Sequence, residues 1–256
     1  MSEERPIAVF DSGAGGLAVL RALQRCLPHE KFVYFADQAH FPYGERAPAD
    51  VRTLTLAAAE RLAHERAIKL LVVACNTASA AALPDLRRRF AFPVVGIEPA
   101  IKPARALTRS GCIGVLATRA TAAAGTLRDL IARVAADVRV VVRPAPELVA
   151  EVEAGLPDPA RADALLEAAL RPLRVAGADV LVLGCTHFAF VRERARRLLN
   201  GIPVLEPAEA VARHAADLLR ERDLAAADQG GGVTLMTSGD PVRLEALARR
   251  LLPLLA

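Results

Sequence analysis

The sequence predicts an α/β fold: two pseudo-symmetric α/β domains with mainly parallel sheets and an active site in the cleft between them. Three observations carry this. Short, uniformly apolar runs of strand length alternate with helical patterns, as expected of parallel strands covered on both faces. The phrase Leu71-Val72-Val73-Ala74-Cys75-Asn76-Thr77 is written again 110 positions later as Leu181-Val182-Leu183-Gly184-Cys185-Thr186-His187. The same offset separates Pro93-Val94 from Pro203-Val204, and each of these leads into a Glu-Pro pair, Glu98-Pro99 and Glu206-Pro207.

Taken in order, the aliphatic runs Ile7 to Phe10, Phe32 to Phe35, Leu70 to Ala74, Val94 to Ile97, Ile113 to Leu116, Val138 to Val142, Val180 to Leu183 and Thr234 to Met236 read as strands. Between them, Leu17 to Cys26, Ala49 to Arg66, Ala78 to Arg89, Ala120 to Val134, Ala160 to Ala176, Val191 to Leu199 and Ala208 to Glu221 carry helical patterns. Ile7 to Ser12 aligns with Ile113 to Thr118 at an offset of 106, less closely than the cysteine phrases align. The second domain is placed at 99–207. The tail, with Gly230-Gly231-Gly232, a strand and a last helix, is expected to return to the first half, so the first domain is 1–98 plus 208–256.

Composition narrows the function. Lys+Arg 33 against Asp+Glu 29 gives net +4. Arginines such as Arg87-Arg88-Arg89 are spread over helical faces, and aromatics to stack bases are few, so a nucleic-acid partner is not expected. No apolar run approaches the roughly 18 residues that cross a bilayer, so no membrane role is implied. Cys26, Cys75, Cys112 and Cys185 form no C-x-x-C pair, and Met1 to Pro6 is charged where a signal peptide needs an apolar stretch. The chain reads as cytoplasmic, with free thiols.

In open parallel sheets ligands meet the carboxyl ends of strands. Asp11-Ser12-Gly13-Ala14-Gly15-Gly16 follows a strand and opens a helix; its glycines permit close backbone approach and its free N–H groups suit a carboxylate. It lacks G-x-G-x-x-G spacing, and the plain alternative is a turn with Asp11 or Ser12 as helix cap. Cys75 and Cys185 each fall between a buried strand and a helix start, where N–H groups and the helix dipole favour thiolate and lower a thiol pKa of about 8.5. Cys26 and Cys112 lack that setting and read as structural. His187, two residues past Cys185, shares its side of an extended chain and could shuttle a proton or, with the thiol, bind zinc. Zinc needs a further ligand that no local Cys or His spacing supplies, so no metal is expected.

Two thiols facing one cleft suit inversion of a carbon that bears hydrogen, which needs a base on one face and an acid on the other. Pyridoxal phosphate would need a Schiff-base lysine, and Lys31, Lys69 and Lys102 follow no strand in a glycine- or hydroxyl-rich loop. A route without cofactor must rely on a desolvated thiolate and on hydrogen bonds to a carbanion-like transition state.

The motifs Val9-Phe10-Asp11-Ser12-Gly13-Ala14-Gly15-Gly16-Leu17, Pro42-Tyr43-Gly44, Ala74-Cys75-Asn76-Thr77-Ala78-Ser79-Ala80, Pro93-Val94-Val95-Gly96-Ile97-Glu98-Pro99-Ala100 and Gly184-Cys185-Thr186-His187-Phe188 resemble those of the glutamate racemases. The resemblance runs in order from about residue 6 to Asp240. It implies cofactor-independent interconversion of L- and D-glutamate for peptidoglycan, in a cytoplasmic bacterial homodimer. It assigns Cys75 as the base acting on the D enantiomer and Cys185 on the L. Asp11 would support Cys75 and hold the ammonium; His187 and Glu153 would support Cys185. Ser12, Tyr43, Gly44, Asn76, Thr77, Thr118, Thr121 and Thr186 match positions that bind the carboxylates and amine. None is cationic, so neutral donors serve two carboxylates. The chain departs from the family pattern at Ala36, Gln38, Ala124, Thr126, Arg143 and Ala189. Other readings are an aspartate or hydantoin racemase of the same superfamily, or a catalytically idle relative that binds or regulates a partner such as DNA gyrase.

Overall fold

A computed structural model describes residues 4–227 and 230–255. The chain runs β1 (Ile7–Asp11), α1 (Leu17–Cys26), β2 (Lys31–Ala36), α2 (Pro48–Arg66), β3 (Leu70–Val73), α3 (Asn76–Arg89), β4 (Val94–Gly96), α4 (Ile101–Leu107), β5 (Cys112–Ala117), α5 (Arg119–Ala123), α6 (Gly125–Val134), β6 (Arg139–Pro144), α7 (Pro146–Glu153), α8 (Pro159–Val175), β7 (Val180–Gly184), α9 (Arg192–Leu198), β8 (Val204–Leu205), α10 (Ala208–Glu221), β9 (Gly232–Thr237) and α11 (Pro241–Leu251). Short 3-10 turns cover Gln38–His40, Tyr43–Glu45 and Thr186–Val191. Among the described residues no helix is long and apolar enough to cross a membrane.

The strands form two wholly parallel sheets, ordered β4-β3-β1-β2-β9 and β6-β5-β7-β8. Read from its other edge, the second sheet is β8-β7-β5-β6, which repeats the order β4-β3-β1-β2. The registers repeat as well. Ile7 lies opposite Leu70 as Ile113 lies opposite Val180, and Leu71 opposite Val94 as Leu181 opposite Val204. The two sequence offsets, 106 and 110, therefore mark equivalent places in two sheets. Strand β9 has no counterpart and extends the first sheet along β2, from Lys31–Gly232 to Ala36–Thr237.

Each sheet has an outer core of its own. Val51 and Leu62 of α2 and Leu86 of α3 pack on Phe10, Val33 and Val73. Ile101 of α4 and Leu127 and Leu130 of α6 pack on Ile113, Val115 and Val182. The inner faces share one continuous core, in which Leu17 and Leu20 of α1 and Val211 and Leu219 of α10 join Leu148 and Val152 of α7, Leu166 and Leu170 of α8, and Phe188. Each fully buried Leu or Val there is worth about 1.5–3 kcal/mol, so the halves are bound by apolar packing, and strand ends of both sheets line one cleft.

Several elements differ from the sequence expectation. The helix expected over 120–134 is broken at Ala124, which is extended (φ −65°, ψ 135°), and resumes at Gly125. Helix α5 is a short piece capped by Thr118, whose hydroxyl accepts the Thr121 N–H at 3.0 Å, and the low helix propensity of Gly125 makes the break cheap. Helix α3 starts two residues early because Cys75 itself is its N-cap. Helices α4 and α7 and strand β8 were not expected: α4 carries Pro103 near its start, α7 opens on Pro146, and β8 has two residues.

Candidate active site

The end of β3 delivers Cys75 to the first turn of α3, where its sulfur accepts the Ala78 N–H at 3.4 Å and lies 3.7 Å from the Ser12 hydroxyl. The end of β1 delivers Asp11, fully buried, whose carboxylate accepts the Gly13 N–H at 2.8 Å and the Thr186 hydroxyl at 3.0 Å. Burial pushes Asp11 up to about 6, although the His187 charge and these hydrogen bonds act the other way. Burial, then the Asp11 charge, pushes the Cys75 thiol up to about 12; the bonds from Ala78 and Ser12 only partly offset them. The sequence expectation of a lowered thiol pKa therefore fails at Cys75. A helix start supplies about half a charge, and that is outweighed by removing the sulfur from water beside a carboxylate.

The equivalent strand end, after β7, carries a different set of neighbours. Cys185 is extended (φ −148°, ψ 137°) and is followed by the 3-10 turn Thr186–Val191 in place of an α-helix start. His187 Nδ1 lies 3.8 Å from the Cys185 sulfur, and its Nε2 lies 2.8 Å from Glu153 Oε2. Burial alone would favour the neutral ring, but contacts with Cys185 and Glu153 hold the imidazole well above its usual range, as the imidazolium. For Glu153, burial favours the acid, yet hydrogen bonds from His187, from Ala14 N–H at 2.8 Å and from Gln38 Nε2 at 2.9 Å keep it below the usual carboxylate range. The Phe41 ring lies 5.6 Å from the imidazole, centroid to centroid.

The glycine loop explains how the two sets meet. A Cβ on Gly13 would fall 2.5 Å from Glu153 Oε2, and one on Gly15 would fall 2.4 Å from His187 Nδ1 and 2.5 Å from Thr186 Oγ1. These glycines are required by side chains of the other half that close on this backbone. The loop does hold a carboxylate by a free N–H, and that carboxylate is the protein's own Glu153.

Both cysteines line one cavity, together with Ser12, Tyr43, Gly44, Asn76, Thr77, Thr118, Thr186 and His187. Asp11, Glu153 and Thr121 stand behind that wall. Among the described residues the oxygen and nitrogen of the buried Asn76 amide have no hydrogen-bond partner. Thr77, Thr118 and Thr121 form a hydroxyl cluster across the two halves, with Oγ1 to Oγ1 distances of 3.0 and 2.9 Å. The Tyr43 hydroxyl is donated to Asp37 at 2.6 Å, and Asp37 also accepts from Ser238 at 2.6 Å, so Tyr43 offers the cavity its ring and backbone. Sequence reasoning assigns no role to Asp37, Gln38, Phe41, Val149 or Ala150; Phe41, Val149 and Ala150 line the cavity, Asp37 accepts from Tyr43, and Gln38 donates to Glu153. For α7 a signal existed: Pro146 as the first helical residue, with Leu148, Val149 and Val152 on one face.

Comparison with known proteins follows the same lines. The model of the Asp/Glu/Hydantoin racemase family matches residues 12–215. A glutamate racemase of Roseiflexus sp. (strain RS-1) is 47% identical over 251 residues, covering 96% of this chain and 92% of that protein. Among solved structures, a glutamate racemase isoform of Bacillus anthracis superposes with a TM-score of 0.89 at 31% identity, covering 98% of this chain and 95% of that one. The Escherichia coli glutamate racemase, solved with L-glutamate and the activator UDP-MurNAc-Ala, gives 0.85 at 36% identity, covering 96% and 95%. Sequence, sheet order and paired thiol loops thus agree, and the chain belongs to the Asp/Glu/Hydantoin racemase family, among its glutamate racemases.

Proposed function

We propose that the protein interconverts L- and D-glutamate without a cofactor, with two thiols acting on opposite faces of the α-carbon. The observation that carries this reading is that Cys75 and Cys185, at equivalent strand ends of two sheets, line the same cavity. In the L-to-D direction Cys185, as thiolate, takes the α-proton while Cys75, as thiol, gives its proton to the opposite face. The product leaves Cys185 as thiol and Cys75 as thiolate, and the reverse reaction runs from that state. The pKa of Cys75, up to about 12, suits the donor, and the His187 imidazolium beside Cys185 supplies positive charge on the accepting side.

Asp11 lies behind Ser12 as the negative group that offsets the substrate ammonium. The unpartnered Asn76 amide, with Ser12, Thr77, Thr118, Thr186 and the Gly44 backbone, supplies neutral donors for the two carboxylates. Tyr43 shapes that wall and Thr121 orients Thr118. The working unit divides as 1–98 with 208–256 against 99–207, acts in the cytoplasm as a homodimer, and supplies D-glutamate for peptidoglycan. The test is polarimetry of L-glutamate with purified protein and no added cofactor or metal. Rotation should decay to zero, and faster than for L-aspartate or a 5-substituted hydantoin. Rotation that persists, or that decays only with pyridoxal phosphate, contradicts the proposal.

A further inference from the structure

Glu153 is gripped from both halves of the molecule. Its Oε2 accepts from His187 and from Ala14 N–H, both at 2.8 Å, and its Oε1 accepts the Gln38 amide at 2.9 Å. Ala14 and Gln38 belong to loops of the first sheet, whereas Glu153 and His187 belong to the second. Gln38 is itself fixed at its far end: the Thr237 hydroxyl donates to Gln38 Oε1 at 3.2 Å. That hydroxyl oxygen also accepts the Gly239 N–H at 2.9 Å, so its proton is directed at Gln38 and the amide is oriented with NH2 toward Glu153. Thr237 ends β9, the strand that the second sheet lacks.

We propose that Gln38 is a positioning residue for proton transfer at Cys185: its amide, anchored by Thr237, fixes the Glu153 carboxylate against His187. This rests on the two-thiol reading above. An amide suits the task because it only donates toward the carboxylate and does not compete for the His187 proton. The other titratable groups that act on Glu153 are His187 itself, Asp11 at the end of β1 and Tyr34 on β2, with Cys185 behind the imidazole. Gln38, like the Ala14 N–H, is a neutral donor to Glu153, and it helps the carboxylate stay ionised.

The test uses Gln38→Glu and Gln38→Met in the full chain. Both keep the side-chain length; the first exchanges the amide for a titrating carboxyl, the second removes all hydrogen bonding. Near pH 5.5 a protonated Glu at 38 still donates to Glu153, and near pH 8.5 the two carboxylates repel. The Gln38→Glu rate relative to wild type should therefore fall about tenfold across that range. Gln38→Met should lower kcat about tenfold with its melting temperature nearly unchanged. Because the enantiomers are equal in energy, kcat/KM must fall equally in both directions, so the side affected is read from isotope effects. The primary effect with α-deuterated L-glutamate should grow, and that with α-deuterated D-glutamate should shrink. A Gln38→Met kcat within twofold of wild type, a flat Gln38→Glu ratio, or isotope effects that move together would overturn the proposal. A wild-type protein that fails to racemise glutamate would instead overturn the two-thiol reading.

Discussion

Cys75 and Cys185 occupy the same backbone position in two sheets of the same strand order, yet their surroundings are electrically opposite. Cys75 faces the Asp11 carboxylate and the Ser12 hydroxyl, and its proton is held tightly. Cys185 faces an imidazolium that is backed by a carboxylate. Equivalent strand ends fix where the two proposed acid/base groups stand; residues brought from elsewhere, Asp11 on β1 and Glu153 on α7, give the two thiols unlike electrical surroundings. A racemase needs this division, because one group must accept while the other donates.

Removing either sulfur should have the largest effect. Cys75→Ala and Cys185→Ala should each lower racemisation by about 10³-fold or more, with circular dichroism unchanged; a near-normal rate in either would take that residue out of the reaction. Asp11→Asn removes the negative charge beside Cys75. The Asp11 pKa rises from 3.8 to about 6 on folding, so between these values the folded state binds the extra proton. Its contribution to stability is present below pH 3.8 and is lost as pH rises through 6. Asn removes that penalty, so the variant should gain up to about 3 kcal/mol over wild type at pH 7.5 and little at pH 4, even as activity falls. Thermal melts at the two pH values measure this, and a difference independent of pH would contradict it.

On the Cys185 side, Glu153→Gln should lower kcat by about 10- to 100-fold. It should also shift the alkaline limb of the pH profile to lower pH, because His187 loses the charge that raises it. An unmoved limb would show that the imidazolium is not required. The smallest effect is expected at the rim, where Arg119 Nη1 pairs with Glu45 at 2.7 Å across the two halves. The pair is solvent-exposed, so Arg119→Ala should cost under about 1 kcal/mol in a denaturant titration; a larger loss would mean that the halves depend on that pair.

Much of this was legible in the sequence. The buried strands are continuous apolar runs, and the cysteine phrases end at the same topological point because a small residue, a thiol and a polar side chain recur there. Ile7, Leu70, Ile113 and Val180 could be matched for the same reason. What was not legible depends on contacts distant in sequence. Glu153 reaches Ala14 across 139 positions, and no local pattern announces that Gly13 must be bare to admit it. The Cys75 thiol was expected to be acidic from its helix start, because burial beside Asp11 is a tertiary property. The break at Ala124 was hidden by alanines that read as helix until the Thr118 cap sets the frame.

The proposed racemisation stands on two sulfurs that reach one α-carbon from opposite faces. The decisive measurement is the labelling pattern of L-glutamate incubated with the protein in deuterated water and analysed at early conversion. Each D-glutamate formed should carry deuterium at the α-carbon while the remaining L-glutamate stays unlabelled, since the acceptor thiolate and the donor thiol are different groups. D-glutamate that retains the original hydrogen, or label that enters both enantiomers equally from the outset, would rule out two thiols acting on opposite faces.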